Sequence, residues 1–159
     1  MAGIVQTLTT SFKVQILSAG HNFASSGTVP TPTSRYTQDI FYIALYTIAN
    51  GASLDSTTTA YTTAGEVSGT GYSAGGSQLT ISTLPTSGGT PSTTAYLNFA
   101  NVTWFDATFS ADGALIYNVS NSNYAVGVLN FGGTKNVLNG TFQIQFPTAG
   151  TGSSIIQIA

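Results

Sequence analysis

Residues 114–131 constrain the fold of this chain more than any other stretch. Two apolar runs flank a polar turn there, as expected for a β-hairpin with a longer loop. Alternation places Val126 and Val128 on one face of the second strand and Ala125, Leu129 and Phe131 on the other. Because both faces are apolar, the strand is predicted to be covered on both sides. The hairpin is therefore expected to lie deep in a β-sandwich.

Residues 39–46 form a second stretch with apolar side chains on both faces, and they predict another central strand. Residues 141–146 alternate instead, which is typical of a strand with one buried face. The side chains expected to point inward in this strand are Phe142, Ile144 and Phe146. A last strand is predicted around Ile156 and Ile158.

The middle of the chain contains two further strand patterns. Leu79 and Ile81 alternate with polar residues and predict one half-buried strand. Residues 96–105 resemble one long strand whose apolar parity changes halfway. We expect a β-bulge at Ala100 and Asn101, because an extra residue in a strand changes the parity in this way.

Glycine and proline separate these strands. Five glycines in twelve positions predict a loop over residues 65–76, and two prolines with two glycines predict a surface loop over residues 84–94. Asp112-Gly113 and Asn139-Gly140 are dipeptides typical of tight turns. We expect the first of these turns to lead into the central hairpin.

One helix is predicted, at about residues 9–20. Phe12, Ile16 and Ala19 follow its period, Thr10 or Ser11 is expected to cap it, and Gly20 is placed to end it. The polar, proline-containing residues that follow predict an extended arm. The chain is therefore expected to be mainly β, an antiparallel β-sandwich or jelly roll (residues 39–159) preceded by a helix and arm (residues 1–38).

Charge is scarce in this chain. Only 5% of the 159 residues are charged, against a usual fraction of about 25%. Weak like-charge repulsion favours association with other protein. The net charge of −2 and the scattered cations do not predict a nucleic-acid interface. The chain has no cysteine, no apolar run long enough to span a membrane and no basic segment typical of a signal peptide.

No catalytic or cofactor motif emerges from the sequence. Residues 69–74 match G-x-G-x-x-A, but no helical pattern follows them, so we interpret them as loop. His21 is the only histidine and is expected at the surface or in the arm. A catalytic pair needs two carboxylates facing each other, and no spacing among the five acids indicates one. A calcium site at Asp106 and Asp112 has no supporting spacing. We predict no enzyme, no cofactor and no metal.

Several segments resemble a family of small structural proteins of tailed-bacteriophage virions. The segments are SFKVQILSAGHNF (11–23), FYIALYT (41–47), TTTAYTTAGEVSGTGYSAGG (57–76), GALIYN (113–118), AVGVLNFGG (125–133) and FQIQFP (142–147). This resemblance implies a place on the virion, either as a head decoration or cement protein or as a tail or neck component. The arm before Asp39 is longer than the family pattern, and Tyr124 stands where a basic residue is expected.

The resemblance and the composition together predict a non-enzymatic virion protein, assembled in the host cytoplasm, that binds and stabilises the capsid. Its expected partners are the major capsid protein or other virion proteins and further copies of itself, with a trimer favoured. The alternative is a tail-associated module that binds a receptor or carbohydrate through residues 65–77 and 84–94. The residues expected to contact the partner are Phe12, Ile16, His21, Phe23, Arg35 and Tyr36.

Overall fold

The computed structural model describes residues 3–24, 37–89 and 93–158, which form two antiparallel sheets and one α-helix. One sheet has the order β1-β7-β6-β2-β3 and the other the order β4-β5-β8. The elements are β1 (Thr7–Leu8), α1 (Thr10–Leu17), β2 (Phe41–Tyr46), β3 (Ser77–Leu79), β4 (Ile81–Gly88), β5 (Thr94–Phe99), β6 (Val102–Asn118), β7 (Tyr124–Ile144) and β8 (Ile156–Ile158). The mainly β prediction is confirmed, and the two sheets are consistent with a β-sandwich. The jelly-roll connection pattern stays a prediction.

The five-stranded sheet is covered on both faces at its centre, over β2, residues 113–118 of β6 and residues 125–128 of β7. One face packs against the three-stranded sheet and α1, through a core that includes Ile43, Leu45 and Ile116. The other face is covered by the segments around Ile4 and Leu54, which pack against its remaining strand residues. The prediction of strands covered on both faces is therefore confirmed for β2 and for the hairpin as far as Val128, but not for Leu129 to Phe131, which are half-buried or exposed.

The assignment of hairpin residues to the two faces was wrong in part. Ile116 pairs with Gly127 but Tyr117 pairs with Ala125, so Val126 is an extra residue in β7. This bulge shifts the alternation by one position. As a result Val126 faces the inter-sheet core, whereas Ala125 and Val128 lie in the core on the opposite face.

The predictions of one strand around Leu79 and Ile81 and of one strand over residues 96–105 were both wrong. Each of these segments contains parts of two strands that belong to different sheets, β3 and β4 in the first and β5 and β6 in the second. The chain leaves one sheet and enters the other at Thr80 and again at Ala100-Asn101. The Ala100 N–H donates to the Thr80 carbonyl over 2.8 Å, so the two crossings support each other. At Ala100-Asn101 the apolar parity changes because the chain changes sheet, so the predicted bulge there was wrong; at Thr80 the alternation continues from Leu79 to Ile81 although the sheet changes. At the second crossing, a change of sheet and a bulge produce the same change of parity, because both sheets face one core. Sequence alternation cannot separate them.

Three predicted turns or loops are partly or wholly strand. Asp112-Gly113 lies inside β6, Asn139-Gly140 lies inside β7, and β4 continues to Gly88 through the first part of the predicted loop 84–94. Asn139 has a φ of 46°, and β7 has one more residue than β6 at this position. The Asn139-Gly140 pair therefore forms a β-bulge in place of the predicted turn. The predicted loop at residues 65–76 is confirmed, since it contains no strand longer than an isolated bridge.

Helix α1 is shorter than predicted and is capped one residue earlier than expected. The Phe12 N–H donates to the Thr9 hydroxyl, which is the N-cap, and that hydroxyl donates to the Ala125 carbonyl. Ala19, with a φ of 55°, ends the helical backbone before Gly20. Phe12 is 2% exposed in the inter-sheet core, which docks this eight-residue helix. The division of the chain at residue 38 stays a prediction.

Candidate partner-binding surface

Three of the five acids are buried, and each holds parts of the backbone together. Asp39, Glu66 and Asp112 are 7–9% exposed. Burying a carboxylate is favourable only when hydrogen bonds compensate the lost hydration. Each of these carboxylates accepts hydrogen bonds from its surroundings. These three carboxylates therefore stabilise the fold through the hydrogen bonds that they accept.

Glu66 anchors the glycine-rich loop from within. Its carboxylate accepts hydrogen bonds from the hydroxyls of Tyr61 and Tyr72, both 2.7 Å long, and from the Gly75 N–H over 2.6 Å. Burial and the nearby carboxylate raise the pKa of both phenols, so they remain protonated donors. Burial likewise raises the pKa of Tyr117 to about 12. The Tyr117 hydroxyl donates to the Gly75 carbonyl, which adds a second tie between the loop and β6.

Asp112 joins three segments. It accepts hydrogen bonds from the hydroxyls of Thr47 and Thr134 and from the Ile48 N–H. Burial alone would raise the pKa of this carboxyl, but the three hydrogen bonds outweigh burial and lower it. Asp112 therefore remains ionised as a structural group, and it does not form the predicted turn.

His21 is buried, so the expectation of a surface histidine was wrong. Its Nε2–H donates to Gln15 Oε1 over 2.8 Å, and its Nδ1 accepts from the Asn118 amide over 3.0 Å. The same amide donates to Asp39, and the imidazole packs among the rings of Phe12, Phe23 and Phe41. The arrangement ties the end of α1 to β2 and β6. Among the described residues, no group of three His, Cys, Asp or Glu side chains could hold a metal ion.

The outer face of α1 exposes two apolar side chains beside Lys13. Leu17 is 88% exposed and Val14 is 62% exposed, although Phe12 on the same helix is buried. A shallow hollow of about 490 Å³ adjoins Val14 on one side of the helix, with threonine and serine side chains as its far wall. On the other side, Ile16 and Phe23 line an apolar hollow of about 110 Å³ with Tyr96, Leu97, Ile156 and Ile158. We call Val14, Leu17 and these two hollows the helix surface.

Of the six residues predicted to contact the partner, two lie at the helix surface, two lie in the core and two lie outside the described residues. Ile16 and Phe23 meet at the helix surface, whereas Phe12 and His21 lie in the core beneath it. Arg35 and Tyr36 lie outside the described residues. Sequence reasoning missed Val14 and Leu17. Their signal was available, because both are apolar and lie off the face defined by Phe12, Ile16 and Ala19.

Residues 65–77, proposed as one half of a sugar site, are tied to the core by Glu66. The other half, residues 84–94, belongs to β4 as far as Gly88 and to β5 at Thr94. The dinucleotide-like residues 69–74 are followed by Gly75 and Gly76 with positive φ, and no helix begins there. A phosphate-binding helix N-terminus is therefore absent from this described loop.

No protein-family model matches this chain, and neither the curated proteins nor the solved structures contain a match to it. Among the described residues, no helix is both long and apolar enough to span a membrane. The features that bear on function are consequently the exposed apolar surfaces and the hydrogen bonding of the acids inside the fold.

Proposed function

We propose that this protein is a non-enzymatic structural protein of a tailed-bacteriophage virion, which binds the capsid and stabilises it as a decoration or cement protein. The observation that carries the proposal is the helix surface, where Val14 and Leu17 are exposed beside an apolar hollow. Exposed apolar patches on soluble domains mark sites of interaction with other protein. The phage assignment itself depends on the sequence resemblance.

The hydrogen bonds that the buried acids accept support a structural role for the protein. Asp39, Glu66 and Asp112 are hydrogen-bonded inside the fold, which leaves Asp55 and Asp106 as the acids with more exposure. The Asp55 carboxylate accepts two hydrogen bonds from Thr57, which lower its pKa. Asp106 lies at a bulge in β6. A protein of this kind would act without a cofactor, on the major capsid protein or another virion protein, as a homo-oligomer.

The test is rebinding of the purified protein to particles that lack it. Wild-type protein is expected to bind and to raise the temperature at which the particles break. Leu17→Asp places a charge in the centre of the helix surface, so it should reduce binding without unfolding the protein. Leu138→Asp is the matched control, because Leu138 is 78% exposed and lies far along β7 from Ala125, whose carbonyl accepts a hydrogen bond from the N-cap of α1. Unchanged particle stability with bound wild-type protein would contradict the stabilising role.

The tail-associated or carbohydrate-binding alternative makes a different prediction. It requires binding to host-surface glycans, which a glycan array tests directly, and a position on the tail, which an image of the intact particle shows. No feature of the described residues favours it over capsid binding.

A further inference from the structure

The one histidine of the chain lies in the core beyond the end of α1. His21 is 8% exposed, and its ring centre lies 5.0 Å from that of Phe12, 6.1 Å from that of Phe23 and 6.3 Å from that of Phe41. Histidine is the side chain whose ordinary pKa, about 6.5, lies between pH 5 and 8. In mild acid, His21 is therefore the side chain expected to change its charge first.

The hydrogen bonds around His21 require a neutral imidazole. Asn118 Nδ2 lies 2.7 Å from Asp39 Oδ2 and 3.0 Å from His21 Nδ1. Of the two ends of an amide, only the N–H can donate to an ionised carboxylate, so Nδ1 faces a donor and acts as an acceptor. The ring proton is then on Nε2, which lies 2.8 Å from Gln15 Oε1. An imidazolium would bring its Nδ1–H against the Asn118 N–H.

The Asn118 amide is only half satisfied in this arrangement. Asn118 is 0% exposed, and among the described residues no donor reaches its Oδ1. A buried acceptor without a donor is costly. If the amide turned over, Oδ1 would accept from the Nδ1–H of a His21 imidazolium, but it would then face the Asp39 carboxylate and break that hydrogen bond. The amide therefore has two arrangements, one for each protonation state of His21.

The charged member of this network is Asp39. Its charge favours an imidazolium, whereas burial and the Asn118 N–H oppose one. The Asn118 nitrogen bonds to both groups and so keeps the carboxylate from contacting the ring directly. The other elements place uncharged side chains against His21, which are Phe12 and Gln15 of α1, Phe23, Phe41 of β2 and Asn118 of β6. Lys13 of α1 is exposed. The folded protein is therefore expected to favour the neutral ring.

The network holds the residues that form the helix surface. Asp39 Oδ2 also accepts from the Asn22 N–H over 2.8 Å, and the Asp39 N–H donates to the Asn22 carbonyl over 2.9 Å. Ile16 and Phe23, which line the apolar hollow of the helix surface, directly follow Gln15 and Asn22 in the chain. Displacement of Asp39 would consequently loosen the segment that carries this hollow.

We propose that His21, Asn118 and Asp39 form an acid-sensitive latch beneath the helix surface. At neutral pH the imidazole is uncharged and the latch is closed. In mild acid His21 takes up a proton, the Asn118 amide turns over, and Asp39 loses the hydrogen bond from Asn118. Residues 15–23 then loosen, and the partner binds more weakly. A local change of charge that biases an element with two arrangements is the general form of a pH switch. The effect on the partner rests on the proposed function, whereas the latch is a property of the free protein.

The first test is an NMR titration of the imidazole in the purified protein, where every histidine signal belongs to His21. The midpoint is expected below the ordinary value of about 6.5, because the folded protein favours the neutral ring. The same protein unfolded in denaturant supplies the reference midpoint. A folded-state midpoint at or above that reference overturns the proposal.

The second test is hydrogen exchange at about pH 7 and about pH 5, corrected for the intrinsic exchange rate. Protection of residues 10–23 should fall about tenfold or more in wild type, because opening is coupled to proton uptake. His21→Gln cannot take up this proton, so its protection should not change with pH. Protection of residues 113–118 shows whether the variant is folded. Equal losses in the two proteins overturn the latch, and the wild-type titration decides the matter if the variant does not fold.

Rebinding to particles separates the latch from the proposed function. Wild type is expected to bind several-fold more weakly in mild acid than at neutral pH, whereas His21→Gln should bind equally under both conditions. Any titration of the particle itself affects both proteins alike. The same acid-induced weakening in the variant overturns the link to the helix surface. Absence of binding at either pH contradicts the proposed function instead, and the titration and exchange measurements still decide the latch.

Discussion

The two halves of the β6–β7 hairpin are made of the same two strands but are buried to different extents. In the inner half, next to the turn, residues 111–118 and 125–128 are all buried. In the outer half, Phe105, Asp106 and Ser110 are exposed, residues 103 and 108 are half-buried, and Leu138 is 78% exposed. β1 and β2 pair with the inner half alone.

The difference shows that the neighbouring elements decide the burial of these strands. The inner half is covered by the three-stranded sheet and α1 on one face and by the segments around Ile4 and Leu54 on the other. The outer half packs against the core through one face, with Trp104 and Phe109, and its other face is open. Stability should therefore depend more on the inner half than on the outer half.

The largest expected effect is in the inner half. Leu115 is 0% exposed, so Leu115→Ala leaves a cavity and should lower the free energy of unfolding by about 2–5 kcal/mol. Val137→Ala, at a half-buried position in the outer half, is the comparison and should cost less. Denaturant unfolding measures both. Equal losses would contradict the distinction between the halves.

The next effect concerns the loop that Glu66 holds against the inner half. Glu66→Ala leaves the hydroxyls of Tyr61 and Tyr72 and the Gly75 N–H without their acceptor, which should cost about 2–4 kcal/mol. Tyr72→Phe removes one donor and should cost about 1–2 kcal/mol. Thermal unfolding checks the order of the two variants, and a neutral Glu66→Ala would show that the loop is not held by this carboxylate.

A smaller effect is expected at Asp112, where the two halves meet. Asp112→Ala should cost about 1–3 kcal/mol at neutral pH, because the Ile48 N–H and two hydroxyls lose their acceptor. The folded-state pKa of this carboxyl is below its ordinary value. Its contribution is therefore present above the unfolded-state pKa of about 3.9 and is lost as pH falls through the folded-state pKa. The difference between wild type and Asp112→Ala should decrease in acid. A difference independent of pH would contradict this role.

The smallest effect is expected for the same leucine-to-alanine change in the outer half. Leu138→Ala should change the free energy of unfolding by no more than about 0.5 kcal/mol, because Leu138 is 78% exposed. Chemical unfolding of dilute protein measures this change beside Leu115→Ala. A large loss would mean that Leu138 contributes to the fold.

Much of the inner half could be predicted from the sequence. Apolar residues on both faces of residues 41–46 and 114–118 required cover on both sides, and the structure provides it. The irregular positions could not be predicted in the same way. Val126 and Ala100-Asn101 both reverse the alternation, but the first is a bulge and the second a change of sheet. That choice depends on which strand pairs with which.

The site was predicted less well than the fold. Asp112-Gly113 has a turn composition, but the Asp112 carboxylate is used by Thr47 and Thr134, which are distant in sequence. His21 is buried because Gln15 and Asn118 supply its hydrogen-bond partners. Such pairings between distant residues leave no local pattern. The exposed Val14 and Leu17 were visible in the sequence, and only the fold showed that they were uncovered.

The burial of Asp39, Glu66 and Asp112 also determines how the protein responds to dissolved ions. Among the described residues, the charged side chains that remain at the surface are Lys13, Lys135, Asp106 and the partly exposed Asp55, two of each sign. Counterions screen interactions between exposed charges and have little to act on here. Adhesion through the helix surface should therefore be nearly the same in fresh water and in brine.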